Sequence, residues 1–136
     1  MAVSPVGGTV YVADSSNDRI RKIDTSDGDT TTLAGSGTDG SADGTGTAAS
    51  FSYPHGVAVS PDGMTVYVAD TSNQRIRKID TSNGDTTTLA GSTYGFADGT
   101  DAAARFKQPS GVAVSPDGMT VYVADQYNAR IRQVTT

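Results

Sequence analysis

The residue types that could bind a metal ion are concentrated in one short acidic segment. Residues 24–29 read Asp-Thr-Ser-Asp-Gly-Asp and resemble the start of a calcium-binding loop. The later ligands of such a loop, including a distal Glu, are missing, and a second copy of the segment has Asn83 in place of Asp27. Asp and Gly in this order also favour a hairpin turn. We therefore predict a turn at Asp24, Asp27 and Asp29, with weak calcium binding as the alternative.

Residues suited to catalysis are few. His55 is the only histidine, whereas zinc sites use several His, Cys or carboxylate ligands. The chain has no cysteine, and no serine has a recognisable base partner. We predict that His55 has a surface or turn role just before a strand, and we expect no catalytic residue, no cofactor and no metal.

A third group of candidate residues is basic. Arg19, Arg21 and Lys22 lie on one predicted strand, and the Arg-x-Arg pattern returns in residues 75–77 and 130–132. We expect these side chains to be solvated or paired, with their aliphatic stems covering apolar surface. The expected partner is the Asp that closes the preceding strand, in the same or an adjacent blade, and recognition of an anionic ligand is the alternative. The formal net charge of −5 disfavours nucleic acids and anionic membranes, which attract clustered Lys and Arg.

No segment of the sequence suggests a membrane span or a leader. No apolar run approaches the ~20 residues of a membrane helix. Met1 leads directly into a predicted strand, without a basic region followed by an apolar one, so we expect no signal peptide. The sequence leaves the cellular location open.

These candidate residues recur because the chain is built from one repeated unit. Residues 9–35 and 65–91 span 27 positions and differ at three of them. A third copy begins at Val112, 55 residues after Val57. This near-identity indicates recent duplication or deliberate construction from one parent unit. A period near 55 residues, with short Val-, Thr- and Ile-rich runs, suits a four-stranded β-propeller blade and a long connection.

Each complete copy predicts four strands, labelled A to D. The predicted strands are A at 2–4, 57–60 and 112–115, B at 9–13, 65–69 and 120–124, C at 19–24, 75–80 and 130–134, and D at 30–33 and 86–89. The third copy has no strand D, so the chain supplies eleven strands. We therefore predict a single all-β domain, 1–136, of three antiparallel blades at 2–34, 57–90 and 112–136.

Two long connections, 35–56 and 91–111, join the copies. Both contain Ala-Asp-Gly-Thr, then Phe, then Pro-x-Gly. We expect Phe51 and Phe106 to anchor the connections on the apolar body, and Asp101 to cap one helical turn.

The segments Pro54–Ile76 and Pro109–Ile131 resemble the NHL repeat. The resemblance rests on Pro-x-Gly-Val-Ala-Val, on Val-Tyr-Val-Ala-Asp and on Asn-x-Arg-Ile, and it covers almost the whole chain. It implies a β-propeller, commonly of six blades, whose inner strand is Gly-Val-Ala-Val. Ser60 and Ser115 stand where many members carry Asp directly after this strand.

The predicted number of blades bears on assembly. Closed propellers have roughly four to eight blades, so three cannot close a ring. An open array would leave apolar Val-Tyr-Val-Ala faces in water, and each would forfeit several kcal/mol at ~25 cal/mol per Å². We therefore predict a homodimer that forms a six-bladed ring with two-fold symmetry. The alternatives are a piece of a longer natural propeller and, because the copies are nearly identical, a ring of another size.

The expected function is that of a non-catalytic, self-assembling structural or interaction scaffold. An unknown protein or small ligand would bind at the central mouth of the ring. NHL-type propellers include amidating lyases, nucleic-acid binders and protein-interaction platforms. A remnant of a metal-dependent lyase remains an alternative although the metal-binding histidines are missing, and a nucleic-acid-binding domain is a further alternative that the charge disfavours.

Overall fold

The computed structural model describes every residue from Met1 to Thr136 and is built of β-strands and short 3-10 turns. The strands are β1 (Ala2–Val3), β2 (Thr9–Asp14), β3 (Arg19–Asp24), β4 (Thr30–Ala34), β5 (Gly44–Thr45), β6 (Pro54–Val59), β7 (Thr65–Asp70), β8 (Arg75–Asp80), β9 (Asp85–Ala90), β10 (Pro109–Val114), β11 (Thr120–Asp125) and β12 (Arg130–Thr135). The 3-10 turns are Ser15–Asn17, Gly46–Ala48, Thr71–Asn73, Asp101–Ala103 and Gln126–Asn128. None of the helical segments has the length and apolar character needed to cross a bilayer.

The strands form three antiparallel sheets that follow the three sequence copies. Sheet 1 has the order β1-β2-β3-β4, sheet 2 has β5-β9-β8-β7-β6, and sheet 3 has β10-β11-β12. This arrangement confirms the predicted all-β class with antiparallel pairing. The alternation of Val-, Thr- and Ile-rich runs with Gly, Asp and Asn turns produces it, because β-branched residues fit a pleated sheet and the others end it.

One strand was not predicted. In the first connection, Gly44 and Thr45 pair with Thr86 and Asp85 of β9, so that the connection adds a fifth strand to sheet 2.

The prediction for the second connection needs a correction. The helical turn at Asp101–Ala103 is present, but Thr100 occupies its N-cap position and makes no side-chain capping hydrogen bond.

The apolar core lies in two layers between neighbouring sheets. The first layer packs Tyr11, Ile20, Leu33 and Ala34 of sheet 1 against Val57, Val66, Val68 and Ile79 of sheet 2. The second packs Tyr67, Ala69, Ile76, Leu89 and Ala90 of sheet 2 against Val121 and Val123 of sheet 3. Phe51 is buried in the first layer and Phe106 in the second, which confirms that these rings anchor the connections.

The two end sheets each present one apolar face to solvent. On sheet 1 this face carries Val10, Val12 and Ile23, the equivalents of three side chains that are fully buried on sheet 2; we name it the leading face. On sheet 3 it carries Tyr122 and Ile131, and we name it the trailing face. Because neighbouring residues of a strand point to opposite sides of a sheet, each face lies opposite the layer that packs inside the chain.

Candidate functional site

The most elaborate polar arrangement in the molecule is an ion network in sheet 2. Asp70 ends β7 and Arg77 lies on β8; both side chains are fully buried, and Nη1 of Arg77 lies 2.8 Å from Oδ2 of Asp70. Nη2 of Arg77 lies 2.8 Å from Oδ1 of Asp43, in the first connection. The side-chain amide of Asn73 donates to Oδ2 of Asp70 at 2.8 Å, and the main-chain N–H of Ser52 donates to Oδ1 at 2.9 Å. The network therefore ties two strands, a turn and the connection together.

The polar groups of this network are used almost entirely within the protein. Arg77 also donates to the main-chain oxygens of Ser50 and Ala42, and its guanidinium lies 5.2 Å from the ring centre of Phe51. Only its Nε lacks a hydrogen-bond partner. Burial raises the pKa of Asp70 above its ordinary value, and the hydrogen bonds it accepts oppose this effect. With its oxygens and its arginine engaged in this way, Asp70 is suited to holding the sheet and the connection together.

The same network recurs in sheet 3 and is incomplete in sheet 1. In sheet 3, Arg132 lies 3.0 Å from Asp125 and 2.7 Å from Asp98 of the second connection. In sheet 1, the pair of Arg21 and Asp14 is longer, at 3.4 Å, and about a third of the Arg21 side chain, 30%, is exposed. In sheet 1 only Asp14 pairs with this arginine, and no second carboxylate does.

The predicted pairing of the strand-C arginine with the Asp that closes strand B is confirmed in all three sheets. The second carboxylates, Asp43 and Asp98, were missed, although the shared Ala-Asp-Gly-Thr of the connections could have identified them. Arg19 is also used internally, because it donates to the main-chain oxygen of Ser36 at 3.1 Å. Of the three basic residues Arg19, Arg21 and Lys22, only Lys22 is exposed, so little of their charge is free for an anionic ligand.

The acidic segment that resembles a calcium loop forms a hairpin turn. Oδ1 of Asp24 accepts hydrogen bonds from the main-chain N–H of Ser26 at 2.8 Å and from its hydroxyl at 2.6 Å. Oδ1 of Asp27 accepts from the main-chain N–H of Asp29 at 2.9 Å. The hydroxyl bond, more than any other, lowers the pKa of Asp24. The structure contains no cluster of three or more His, Cys, Asp or Glu residues arranged to hold a metal ion.

His55 lies within β6, so the prediction that places it before the strand was wrong. Its side chain is exposed, and Nδ1 lies 3.2 Å from the main-chain oxygen of Ser110 on β10. At this point β6 and β10 approach each other so closely that a Cβ on Gly56 would collide with that same oxygen. The histidine therefore lies where β6 of sheet 2 and β10 of sheet 3 meet, and the chain has no second histidine.

Ser60 and Ser115, the two positions where the family resemblance leads one to expect Asp, close turns. The hydroxyl of Ser60 donates to Oδ1 of Asp62 at 2.6 Å and accepts from the main-chain N–H of Thr65 at 2.9 Å. Ser115 makes the equivalent bonds to Asp117 and Thr120. In each turn the serine hydroxyl is the first cause that lowers the pKa of the carboxyl group.

This geometry predicts a site-specific titration effect. In Ser60→Ala, the pKa of Asp62 should rise towards its ordinary value, whereas that of Asp117 should stay low. A lowered folded-state pKa stabilises the fold above the unfolded-state pKa, and this stabilisation disappears as the pH falls through the folded-state value. The variant should therefore lose less stability on acidification below about pH 4. Carboxyl NMR titration measures both groups in one sample, and parallel shifts of the two would contradict the assignment.

Comparisons with known proteins place this geometry in context. The model of the family described as NHL repeat matches residues 51–79 and 106–134. The chain is 31% identical over 132 residues to NHL repeat-containing protein 2 from Homo sapiens, covering 90% of this chain and 18% of that protein. It is 33% identical over 128 residues to Protein SUPPRESSOR OF QUENCHING 1, chloroplastic, from Arabidopsis thaliana, covering 90% of this chain and 12% of that protein. The predicted resemblance is confirmed, and the chain spans less than a fifth of these relatives' length.

Solved structures share the fold. The crystal structure of an auxiliary nutrient binding protein from Bacteroides thetaiotaomicron superposes with a TM-score of 0.85 at 24% identity, over 98% of this chain and 36% of that one. A protein of unknown function from the same organism gives a TM-score of 0.86 at 26% identity, over 98% of this chain and 34% of that one. In both cases the three sheets match about a third of a longer chain.

Proposed function

We propose, from the premise that this chain belongs to the NHL-repeat family, that it is a non-catalytic β-propeller module that completes its ring by binding a second copy of itself. The observation that carries the proposal is the complementarity of the leading and trailing faces. Inside the chain, the side of sheet 1 with Tyr11 and Ile20 packs on the side of sheet 2 with Val66 and Val68. Tyr122 and Ile131 of the trailing face are the equivalents of Tyr11 and Ile20. Val10 and Val12 of the leading face are the equivalents of Val66 and Val68, so the same two kinds of surface are left open at the two ends of the chain.

The open faces are chemically equipped to pack on each other. On the trailing face, Tyr122 and Ile131 are exposed, whereas their equivalents on sheet 2, Tyr67 and Ile76, are buried. On the leading face, Val12 and Ile23 line an open cavity of about 360 Å³. Fully burying an aliphatic or aromatic side chain contributes about 1.5–3 kcal/mol, so several such residues on each face favour association.

The contact would join the trailing face of one copy to the leading face of the next. Such head-to-tail contacts form a closed ring when the rotation between copies is right. Two copies with three sheets each would give six blades and two such seams, related by two-fold symmetry. The first strands β1, β6 and β10 would border the centre of the ring, where a protein or small ligand would bind.

Light scattering tests the self-association directly. The chain has a mass of 13.9 kDa, and we expect twice this value for the assembled protein. Ile131→Lys on the trailing face should shift the protein towards single chains, because it places a charge in the seam. Met64→Lys, at an exposed turn residue away from both faces, is the matched control and should leave the mass unchanged. A cooperatively folded single chain at ~1 mM protein would rule out the proposed ring.

A further inference from the structure

The outer edge of sheet 3 has an open position between two structural elements. In sheet 2, β9 pairs with β8 on one side and with β5 on the other. In sheet 3, β12 is the last strand, and no strand lies beside its outer edge. Residues 99–100, which are equivalent to β5, are nevertheless present in the second connection. A cavity of about 590 Å³ occupies this position, and Gly99 and Gln133 lie on its two sides; we name it the strand slot.

The walls of the strand slot are already held in place. Nη2 of Arg132 donates to Asp98 at 2.7 Å and to the main-chain oxygen of Ala97 at 2.8 Å, so that the second connection is fixed to β12. The ring of Phe96 also lies against the guanidinium of Arg130, with 4.1 Å between the ring centre and Cζ. A rigid, open site of this kind avoids part of the ordering cost of binding.

The equivalent of the strand slot in sheet 2 shows what the slot accepts. There it is filled by β9, whose sequence is Asp-Thr-Thr-Thr-Leu-Ala. The hydroxyl of Thr88 donates to Oδ1 of Asp43 at 3.1 Å, and Asp43 is the equivalent of Asp98. In sheet 3, by contrast, 83% of the Asp98 side chain is exposed, and its carboxylate is free to accept such a bond.

We propose that the strand slot binds an extended segment with the Asp-Thr-Thr-Thr-Leu-Ala pattern, antiparallel to β12. Transfer of the β8–β9 register places the Ala of the segment opposite Ile131 and its third Thr opposite Arg132. The third Thr then donates its hydroxyl to Asp98, while main-chain hydrogen bonds form along the edge of the sheet. The cavity also borders Tyr122 and Ile131 of the trailing face. This inference nevertheless goes beyond the proposed self-association, because the segment pairs main chain to main chain with the outer edge of the sheet and does not pack face to face.

A fluorescein-labelled peptide with the sequence of residues 83–91, Asn-Gly-Asp-Thr-Thr-Thr-Leu-Ala-Gly, tests the proposal by fluorescence anisotropy. We expect saturable binding of one peptide per chain. A peptide with the central Thr, Thr87, replaced by Pro should bind at least about tenfold more weakly, because Pro lacks the N–H and is poorly tolerated between paired strands. A scrambled peptide of the same composition is the control. Equal binding of the scrambled peptide, or no saturation at ~1 mM, would overturn the proposal.

A double-mutant cycle tests the predicted register. In the peptide, Thr88→Val removes the hydroxyl and keeps the shape, and it should weaken binding to the unaltered protein by about two- to tenfold. Against Asp98→Ala protein, the two peptides should bind equally, even if that variant weakens both. A Val penalty that persists without Asp98 would contradict the register.

Light scattering on the same samples separates this proposal from the self-association. Binding of the peptide without a change in the mass of the protein supports a slot that is independent of the seam. Binding that reduces a dimer to single chains would mean that the second copy, and not a free strand, occupies the slot, and it would overturn the proposal.

Discussion

Replacing Arg77 by Met is expected to lower the free energy of unfolding by about 3–5 kcal/mol, because it leaves the buried carboxylate of Asp70 without its charge partner. Both side chains are fully buried, and the distance between Nη1 and Oδ2 is 2.8 Å. The variant also removes the bond to Asp43 and therefore one of the contacts that hold the connection on sheet 2. Urea unfolding followed by circular dichroism measures the change.

The repeat supplies matched controls at equivalent positions. Arg21→Met should cost only about 0–1 kcal/mol, because this pair is partly exposed and has no second carboxylate. Arg132→Met should fall between the two, since 10% of that side chain is exposed and its partner Asp125 is fully buried. Equal effects at the three positions would show that burial does not determine the strength of the network. An Arg21→Met effect that grows with protein concentration would indicate that self-association covers this pair.

A second variant separates the charge effect from loss of packing. Asp70→Asn combined with Arg77→Met removes both charges and keeps side chains of similar size, so it should recover a large part of the stability lost in Arg77→Met alone. Failure to recover would indicate that loss of the bond between Arg77 and Asp43 of the connection accounts for most of the effect. Hydrogen exchange at Ala42 and Ser50, whose main-chain oxygens accept from Arg77, would then show local opening.

The strands were predictable because the same sequence motifs recur in each copy. Three copies of Thr-Val-Tyr-Val-Ala-Asp, each followed by Asp/Asn turn residues, fix both the pairing of neighbouring strands and the position of the acid at the strand end. The pairing of Arg77 with Asp70 follows from this register, since the two residues lie seven positions apart on adjacent strands. Local pattern and hairpin geometry were sufficient for these contacts.

The features that sequence reasoning missed depend on contacts between distant segments. Gly44 is disfavoured in strands and Thr45 alone is too short a signal, so they form β5 only because β9, about 40 residues later, offers a free edge. The role of Asp43 depends on an arginine 34 residues away. His55 was placed outside the strand because strand A was predicted to begin at Val57, whereas β6 begins at Pro54, and Pro is tolerated as the first residue of a strand.

The second large effect is expected for Phe51→Ala, which should lower the free energy of unfolding by about 3–5 kcal/mol. The ring is fully buried in the layer between sheets 1 and 2, and it also lies beside the guanidinium of Arg77. Its removal leaves a cavity that the surrounding β-sheets cannot easily close. Phe96→Ala is the matched control, because this residue is 47% exposed and its ring only contacts arginine side chains, so its loss should cost no more than about 1 kcal/mol.

The denaturant dependence of Phe51→Ala distinguishes two ways in which the ring could act. If Phe51 only fastens the connection, the variant should lose the connection in a separate early step, and the m-value of the main transition should fall because less surface is exposed in it. If the ring is part of the shared core, the midpoint should fall at an unchanged m-value. We expect the second result, because Phe51 belongs to the same buried cluster as Ile20 of sheet 1 and Val68 of sheet 2. A lower m-value would instead assign the connection to a separate unfolding unit.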